Sequence, residues 1–171
     1  MHFKIKVIII GEAGVGKTSL VKKFVTGQFS TDYRASIGTN MFIKEIDIAY
    51  NDNIQKISIQ LWDIAGQERW INMRHIYYEG TQGALIVGDL SRKRTFEQIV
   101  KFWQPDLIKY CGKIPFILIA NKFDLSHEIT ENEIESLGKT IDASSIMCTS
   151  VKTGMNVEKA FEQISKQVIR L

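Results

Sequence analysis

Proline and cysteine are scarce in this chain, with two of each among 171 residues. Two thiols, Cys111 and Cys148, are too few for a disulfide framework, and neither has Cys or His neighbours at the spacing of a zinc site. A reducing, intracellular setting is expected. No apolar run reaches the roughly 18 to 20 residues needed to cross a bilayer, and Met1-His2-Phe3-Lys4 is not a signal peptide. A dominant charge is missing too: 22 basic and 19 acidic residues, net +3, are spread along the chain, which excludes a dedicated nucleic-acid binder. The densest basic run, Arg92-Lys93-Arg94, reads as a solvated turn and is given no role. Internal repeats and low-complexity segments are also lacking. These absences leave one compact domain over residues 1–171, expected to be cytoplasmic and monomeric. His2 stands where myristoylation needs a glycine and no C-terminal cysteine offers a prenylation site, so membrane attachment stays open, through a tail beyond Leu171.

Short apolar strands alternate with segments of helical period from end to end, the order of an α/β fold. Strands are predicted at Phe3 to Ile10, Met41 to Tyr50, Ile54 to Trp62, Ala84 to Asp89, Phe116 to Ala120 and Ile146 to Thr149. The second and third flank Asn51-Asp52-Asn53, a hairpin signal. Helices are predicted at Lys17 to Thr26, Thr95 to Tyr110, Thr130 to Thr140 and Asn156 to Ile169, with a less regular one after Gln67. Thr130 with Glu133, and Thr95 with Gln98, have the spacing of capping boxes. Pro105 should kink or loosen its helix. Val157, Ala160, Phe161, Ile164 and Val168 form one apolar face, read as core.

Gly11-Glu-Ala-Gly-Val-Gly16-Lys17-Thr18 follows the strand FKIKVIII and precedes the helix TSLVKKFV, the context that a phosphate loop requires. Its glycines let backbone N–H groups converge on phosphate oxygens at a helix N-terminus, Lys17 reaches the β- and γ-phosphates, and Thr18 offers a hydroxyl to Mg²⁺. Asp63 closes the strand Ile57, Ile59, Leu61, where a carboxylate sits beside the metal and holds one of its waters. Alone, such an Asp is more often a helix cap. Downstream, Gly66 brings an N–H to a γ-phosphate with no Cβ in the way, and Gln67 orients a water for in-line attack. Without the phosphate loop, both would be ordinary turn residues.

Asn121-Lys122-Phe123-Asp124 follows the strand PFILIA, at the strand's C-terminal end, where open α/β sheets bind ligands. As four letters it is a polar turn. Beyond a phosphate loop it selects guanine, because Asp124 accepts from the N1 and N2 hydrogens that adenine lacks. The Lys122 stem lies along a ring face.

On these motifs the chain resembles a Ras-superfamily small GTPase over essentially its whole length, most closely the Rab branch, whose WDTAGQERF is matched here by WDIAGQERW. The resemblance implies a P-loop G domain over residues 1–171: a doubly wound, mostly parallel six-stranded sheet with helices on both faces. It implies a nucleotide site of Ala13, Gly14, Val15, Gly16, Lys17, Thr18, Ser19, Gly66, Asn121, Lys122 and Asp124, with Phe29 beside the base and Ser150, Val151 and Lys152 as the counterpart of the family's TSAK loop. Tyr33 to Asn40 resembles the first switch, which adds Tyr33 and Ser36. Mg²⁺ is implied on Thr18, Ser36 and, through water, Asp63, with Gln67 as the catalytic residue. Trp62 resembles one of the Rab aromatic triad that reads the switch state, and would equally serve as core.

Three departures stand out. Ser36 replaces the family's metal-binding threonine, and Thr39 offers a second hydroxyl three residues later. Ala13 puts a methyl where the family's side chain faces the γ-phosphate. The hairpin through Asn51 is longer than in typical Rabs.

The implied function is a GTP/GDP switch with slow intrinsic hydrolysis, acting in membrane traffic or a related signalling process. Its implied partners are GTPase-activating and nucleotide-exchange proteins and effectors that bind the switch segments. A different class stays open: a non-cycling module that keeps GTP as a structural ligand, which Ala13 and Ser36 would suit and Gln67 would not. An ATP-using phosphoryl transferase with the same loop is disfavoured by Asn121 and Asp124.

Overall fold

A computed structural model describes residues 2–30, 38–50, 52–66 and 73–170. Six strands, β1 (His2–Ile10), β2 (Thr39–Tyr50), β3 (Asn53–Ile64), β4 (Gly83–Asp89), β5 (Phe116–Asn121) and β6 (Ser145–Cys148), form one sheet in the order β2-β3-β1-β4-β5-β6. All neighbouring pairs are parallel except β2 and β3, which are antiparallel. The predicted α/β class and mixed six-stranded sheet are what is found. The β2–β3 hairpin runs twelve residues on each side, from Thr39 opposite Ile64 to Tyr50 opposite Asn53.

Both faces of the C-terminal half of β1 are dry, which is why Val7–Ile10 reads as an unbroken apolar run, whereas Phe3–Lys6 alternates. Val7 and Ile9 enter one core with Leu20, Phe24, Phe161 and Ile164. Ile8 and Ile10 enter the other with Phe96, Trp103, Leu107 and Ile134. The first face is covered by α1 (Lys17–Thr26) and α6 (Val157–Ile169), joined by the stacked rings of Phe24 and Phe161, 4.0 Å between centroids. The apolar stripe on α6 is buried at every position expected. Each such aliphatic or aromatic side chain contributes roughly 1.5–3 kcal/mol by leaving water.

The second face carries α2 (Arg74–Tyr78), α3 (Lys93–Gln98), α4 (Gln104–Cys111) and α5 (Glu131–Thr140). Between α3 and α4 runs a π-helical turn, Ile99–Trp103, in which the Gln104 N–H donates to the Ile99 carbonyl. Pro105 lies two residues beyond this turn; with no N–H and a ring that crowds the carbonyl four residues back, it loosens the helix as its sequence position demands. Thr130 and Glu133 form the expected capping box at α5. Thr95 and Gln98 do not. The helix there starts at Lys93, and the buried Thr95 hydroxyl is drawn inward instead, accepting from the Asp89 N–H at 2.8 Å and donating to the Arg92 carbonyl at 2.8 Å. Among the described residues no helix is long and apolar enough to cross a membrane.

The parallel strands place the C-terminal ends of β1, β3, β4 and β5 along a single edge, with Ile9 beside Asp63 and Asp89 beside Asn121. Every chemical motif of the sequence leaves the sheet there.

Candidate functional site

The segment between β1 and α1 is wound so that its carbonyls are taken up by the protein itself. Lys17, 5% exposed, donates its ammonium to the carbonyls of Gly11 at 2.8 Å and Glu12 at 2.7 Å. The Gly14 carbonyl accepts from Lys122 at 2.8 Å, and the Val15 carbonyl accepts from the Asn121 amide at 2.9 Å. Gly16 caps α1 in the left-handed region, φ 102°, and a Cβ there would lie 2.4 Å from the Asn121 amide nitrogen. Only glycine meets both demands. Ser19 follows on the first turn of α1, half-buried, and Val15 is fully buried in the core.

Burial pulls the Lys17 ammonium down to about 8, against the attraction of Asp63 and Glu12. An anion placed at the loop would hold that charge on the lysine.

Asp63 is buried at the end of β3, where its Oδ2 accepts from the Thr18 hydroxyl at 2.5 Å. Burial pushes its carboxyl up, opposed chiefly by the Thr18 hydrogen bond and by Lys17. Its other oxygen, Oδ1, has no hydrogen-bond partner among the described residues. Among those residues no group of three or more His, Cys, Asp or Glu side chains is placed to hold a metal. A hydroxyl and one under-satisfied carboxylate instead suit a hard cation that keeps several of its waters, which is the Mg²⁺ habit.

Thr39 pairs with Ile64 and Asn40 with Asp63. Strand alternation therefore puts Thr39 on the face opposite Asp63. Gly66 presses on the phosphate loop, where a Cβ would meet the Gly11 carbonyl oxygen at 2.3 Å and the Ala13 nitrogen at 2.6 Å. Its lack of a side chain serves loop-to-loop packing first. Tyr33, Ser36 and Gln67 lie outside the described residues.

At the other end, the Asn121 side-chain Oδ1 accepts from the Thr149 hydroxyl at 2.9 Å, and Asp124 accepts from the Ser150 hydroxyl at 2.7 Å. The Phe123 N–H donates to the Thr149 carbonyl at 3.0 Å. The two loops that sequence alone left apart, residues 121–124 and 149–152, are thus one unit; Val151 is buried and Lys152 exposed. Phe29 is 39% exposed in the irregular segment after Gly27, and no described aromatic ring pairs with it.

Four contacts were missed by reading the sequence. Asp89, buried at the end of β4, accepts from the Arg92 Nε at 2.9 Å and from Lys122 at 2.8 Å, both on Oδ2. Arg92 also donates from Nη2 to the Ala13 carbonyl at 3.1 Å. The Trp103 indole donates to Glu12 at 3.0 Å, tying the π-helical turn to the phosphate loop. A signal was present for the first two: a strand-final aspartate at the ligand edge, followed within three residues by arginine.

A model of the Ras family matches residues 6–170. Among curated proteins, the human "Ras-related protein Rab-32" is 37% identical over 171 residues, covering 96% of this chain and 74% of that one. The "Ypt/Rab-type GTPase YPT7" of Saccharomyces cerevisiae is 32% identical over 174 residues, 97% of this chain and 82% of its own. The "Ras-related protein RABG3c" of Arabidopsis thaliana is 35% identical over the same shares.

Proposed function

The chain belongs to the Ras family of small GTPases, on its Rab branch, and from that membership we propose that it is a Mg²⁺-dependent GTP/GDP switch whose single nucleotide site lies along the C-terminal edge of the sheet. The observation that carries this reading is the lock between the phosphate loop and the Asn121–Asp124 loop, through Asn121 on the Val15 carbonyl and Lys122 on the Gly14 carbonyl. One ligand with phosphates at one end and a base at the other spans both loops. Asp124 accepts from the guanine ring nitrogens, Lys122 and Phe29 flank the base, and the loop of Ser150, Val151 and Lys152 meets the guanine oxygen. Ala13, Gly14, Val15, Gly16, Lys17, Thr18 and Ser19 hold the phosphates, with Tyr33 and Gly66 on the γ-phosphate side.

Thr18, Ser36 and, through water, Asp63 would hold the cation; the pairing of Thr39 with Ile64, on the face opposite Asp63, supports Ser36 over Thr39 in that role. When bound, Mg²⁺ neutralises charge that builds on the β- and γ-oxygens. Gln67 orients the attacking water, so its contribution falls on the transition state rather than on binding. Unaided turnover on the order of 10⁻⁴ s⁻¹, as for Ras, is expected of a site with no arginine of its own in the reaction. An activating protein supplies the missing cation in trans, an exchange protein opens the site, and effectors read the two switch segments. The setting is membrane traffic or a related signalling process, with one chain acting as a monomer.

Competition titration tests the base: GTP should displace a labelled guanine nucleotide far better than ATP, and Asp124→Asn should weaken guanine binding on the order of 10³-fold while favouring xanthine. Equal GTP and ATP affinity would overturn the assignment. Single-turnover hydrolysis tests the switch. Gln67→Leu should prolong bound GTP while leaving GTP and GDP affinity nearly unchanged; a leucine variant as fast as the parent would return Gln67 to an ordinary turn residue, and a parent that does not hydrolyse GTP would leave a non-cycling binding module.

A further inference from the structure

Arg92 belongs to the one basic run to which the sequence reading gives no task, yet its guanidinium bridges two elements of the site. Its Nε donates to the buried Asp89 carboxylate at 2.9 Å and its Nη2 to the Ala13 carbonyl at 3.1 Å. The same Asp89 oxygen accepts from Lys122 at 2.8 Å, and Lys122 donates to the next carbonyl, that of Gly14, at 2.8 Å. Ser91 completes the anchor, giving Asp89 Oδ1 its N–H at 2.9 Å and its hydroxyl at 2.6 Å. One carboxylate thus holds two cations, and each cation holds one of two successive carbonyls in the phosphate loop.

The peptide unit turns this into an effect on ligand binding. Every described peptide bond is trans, so each carbonyl points opposite to the N–H of the following residue. Pulling the Ala13 carbonyl toward Arg92 aims the Gly14 N–H the other way, and pulling the Gly14 carbonyl toward Lys122 does the same for the Val15 N–H. Gly14 has φ 77°, a left-handed setting that a glycine leaves easily when nothing holds it. The flanking carbonyls are already held, those of Gly11 and Glu12 by Lys17 and that of Val15 by Asn121. Ala13 is the link that depends on Arg92 alone among these donors.

We propose that Arg92 is a positioning residue for the phosphate loop: through its two-pronged contact with Asp89 and the Ala13 carbonyl it keeps the loop's amides aimed at the β-phosphate of a bound guanine nucleotide. This rests on the nucleotide-switch reading above. The fork is what matters, since an arginine can hold a carboxylate and a carbonyl at once in fixed geometry, whereas a point charge cannot. Its side chain is 45% exposed, so replacing it disturbs no packed core.

The test compares ligands with and without a β-phosphate. GDP and GMP are titrated in competition with a fluorescent guanine nucleotide on the parent, Arg92→Ala and Arg94→Ala proteins, with thermal midpoints measured alongside. In Arg92→Ala the GDP-to-GMP affinity ratio should fall about ten-fold with GMP affinity unchanged, while the ligand-free thermal midpoint falls only modestly because Asp89 keeps Lys122 and Ser91. Arg94→Ala removes the same charge from the same run and should keep the parent ratio. An unchanged ratio in Arg92→Ala, an equal loss in Arg94→Ala, or equal weakening of both nucleotides with a lowered midpoint overturns the proposal. A parent that binds GDP no better than ADP overturns the function reading instead, and this inference with it.

Discussion

Two aspartates lie at the C-terminal ends of β3 and β4, the strands on either side of β1, both buried, and their surroundings treat them in opposite ways. Asp89 is buried too, which would push its carboxyl up, but Lys122, Ser91 and Arg92 outweigh that and hold it below its ordinary value. Asp63 has the Thr18 hydroxyl on one oxygen, the Asn40 side chain facing it across the strand pair and no hydrogen-bond partner on Oδ1 among the described residues, and burial wins. A carboxylate whose needs are met by the chain is a structural anchor. One left short at a ligand edge is kept for something that the chain does not supply, and a divalent cation fits that need.

Asp89→Ala should produce the largest change. It leaves Lys122 and Arg92 without their shared anion and should cost about 2–4 kcal/mol, toward the lower side of a broken buried pair because both cations are partly in water. Urea unfolding of the ligand-free protein measures it, and a loss under 1 kcal/mol, as for a surface pair, would make Asp89 an ordinary turn residue.

Asp63→Asn should act the other way on the same measurement. The amide can still accept from Thr18 and carries no buried charge, so the ligand-free protein should gain stability, while Mg²⁺-dependent retention of GDP falls about 10- to 100-fold. Retention equal to the parent's in labelled-GDP release, with and without a chelator, would remove Asp63 from the metal site.

The finest test is acidity. Asp63, raised in the folded state, opposes folding while charged, and that cost is relieved as pH falls through its folded value toward the ordinary 3.8. Asp89, lowered, contributes stability that is fully present above 3.8 and is lost as pH falls below it toward its folded value. Thermal midpoints of the ligand-free protein against pH should therefore separate the variants: Asp63→Asn differs from the parent in slope above about 3.8, Asp89→Ala below it. Identical slopes would mean that the two sites are electrostatically alike.

Much of this was readable from the chain because its signals are local. The helix Lys17–Thr26 was placed to the residue by the Gly16-Lys17-Thr18 junction, and α5 by a capping box that spans four residues. The phosphate loop and the Asn121–Asp124 loop announce themselves by spacing. What was misread depends on tertiary contacts that no local pattern announces. Arg92 looked like a solvated charge because the Ala13 carbonyl it binds lies 79 residues away. Thr95 looked like a cap because nothing local says that the end of β4 will take its hydroxyl. Gly66 carries a further constraint that no local signal announces, its packing against the Gly11 carbonyl.

The π-helical turn before Trp103 bears on how this chain tolerates changes in length. A single π turn accommodates one residue more than an α-helix would between the same two endpoints. Deleting one residue within Ile99–Phe102 could therefore close the turn to regular α pitch with α3 and α4 still in place, whereas the same deletion elsewhere in a helix swings everything after it by about 100°. The proline sets a condition: at α pitch its ring would press on the carbonyl four residues before it. Loss of a residue here and loss of Pro105 are thus coupled events, and a homologue lacking one should lack the other.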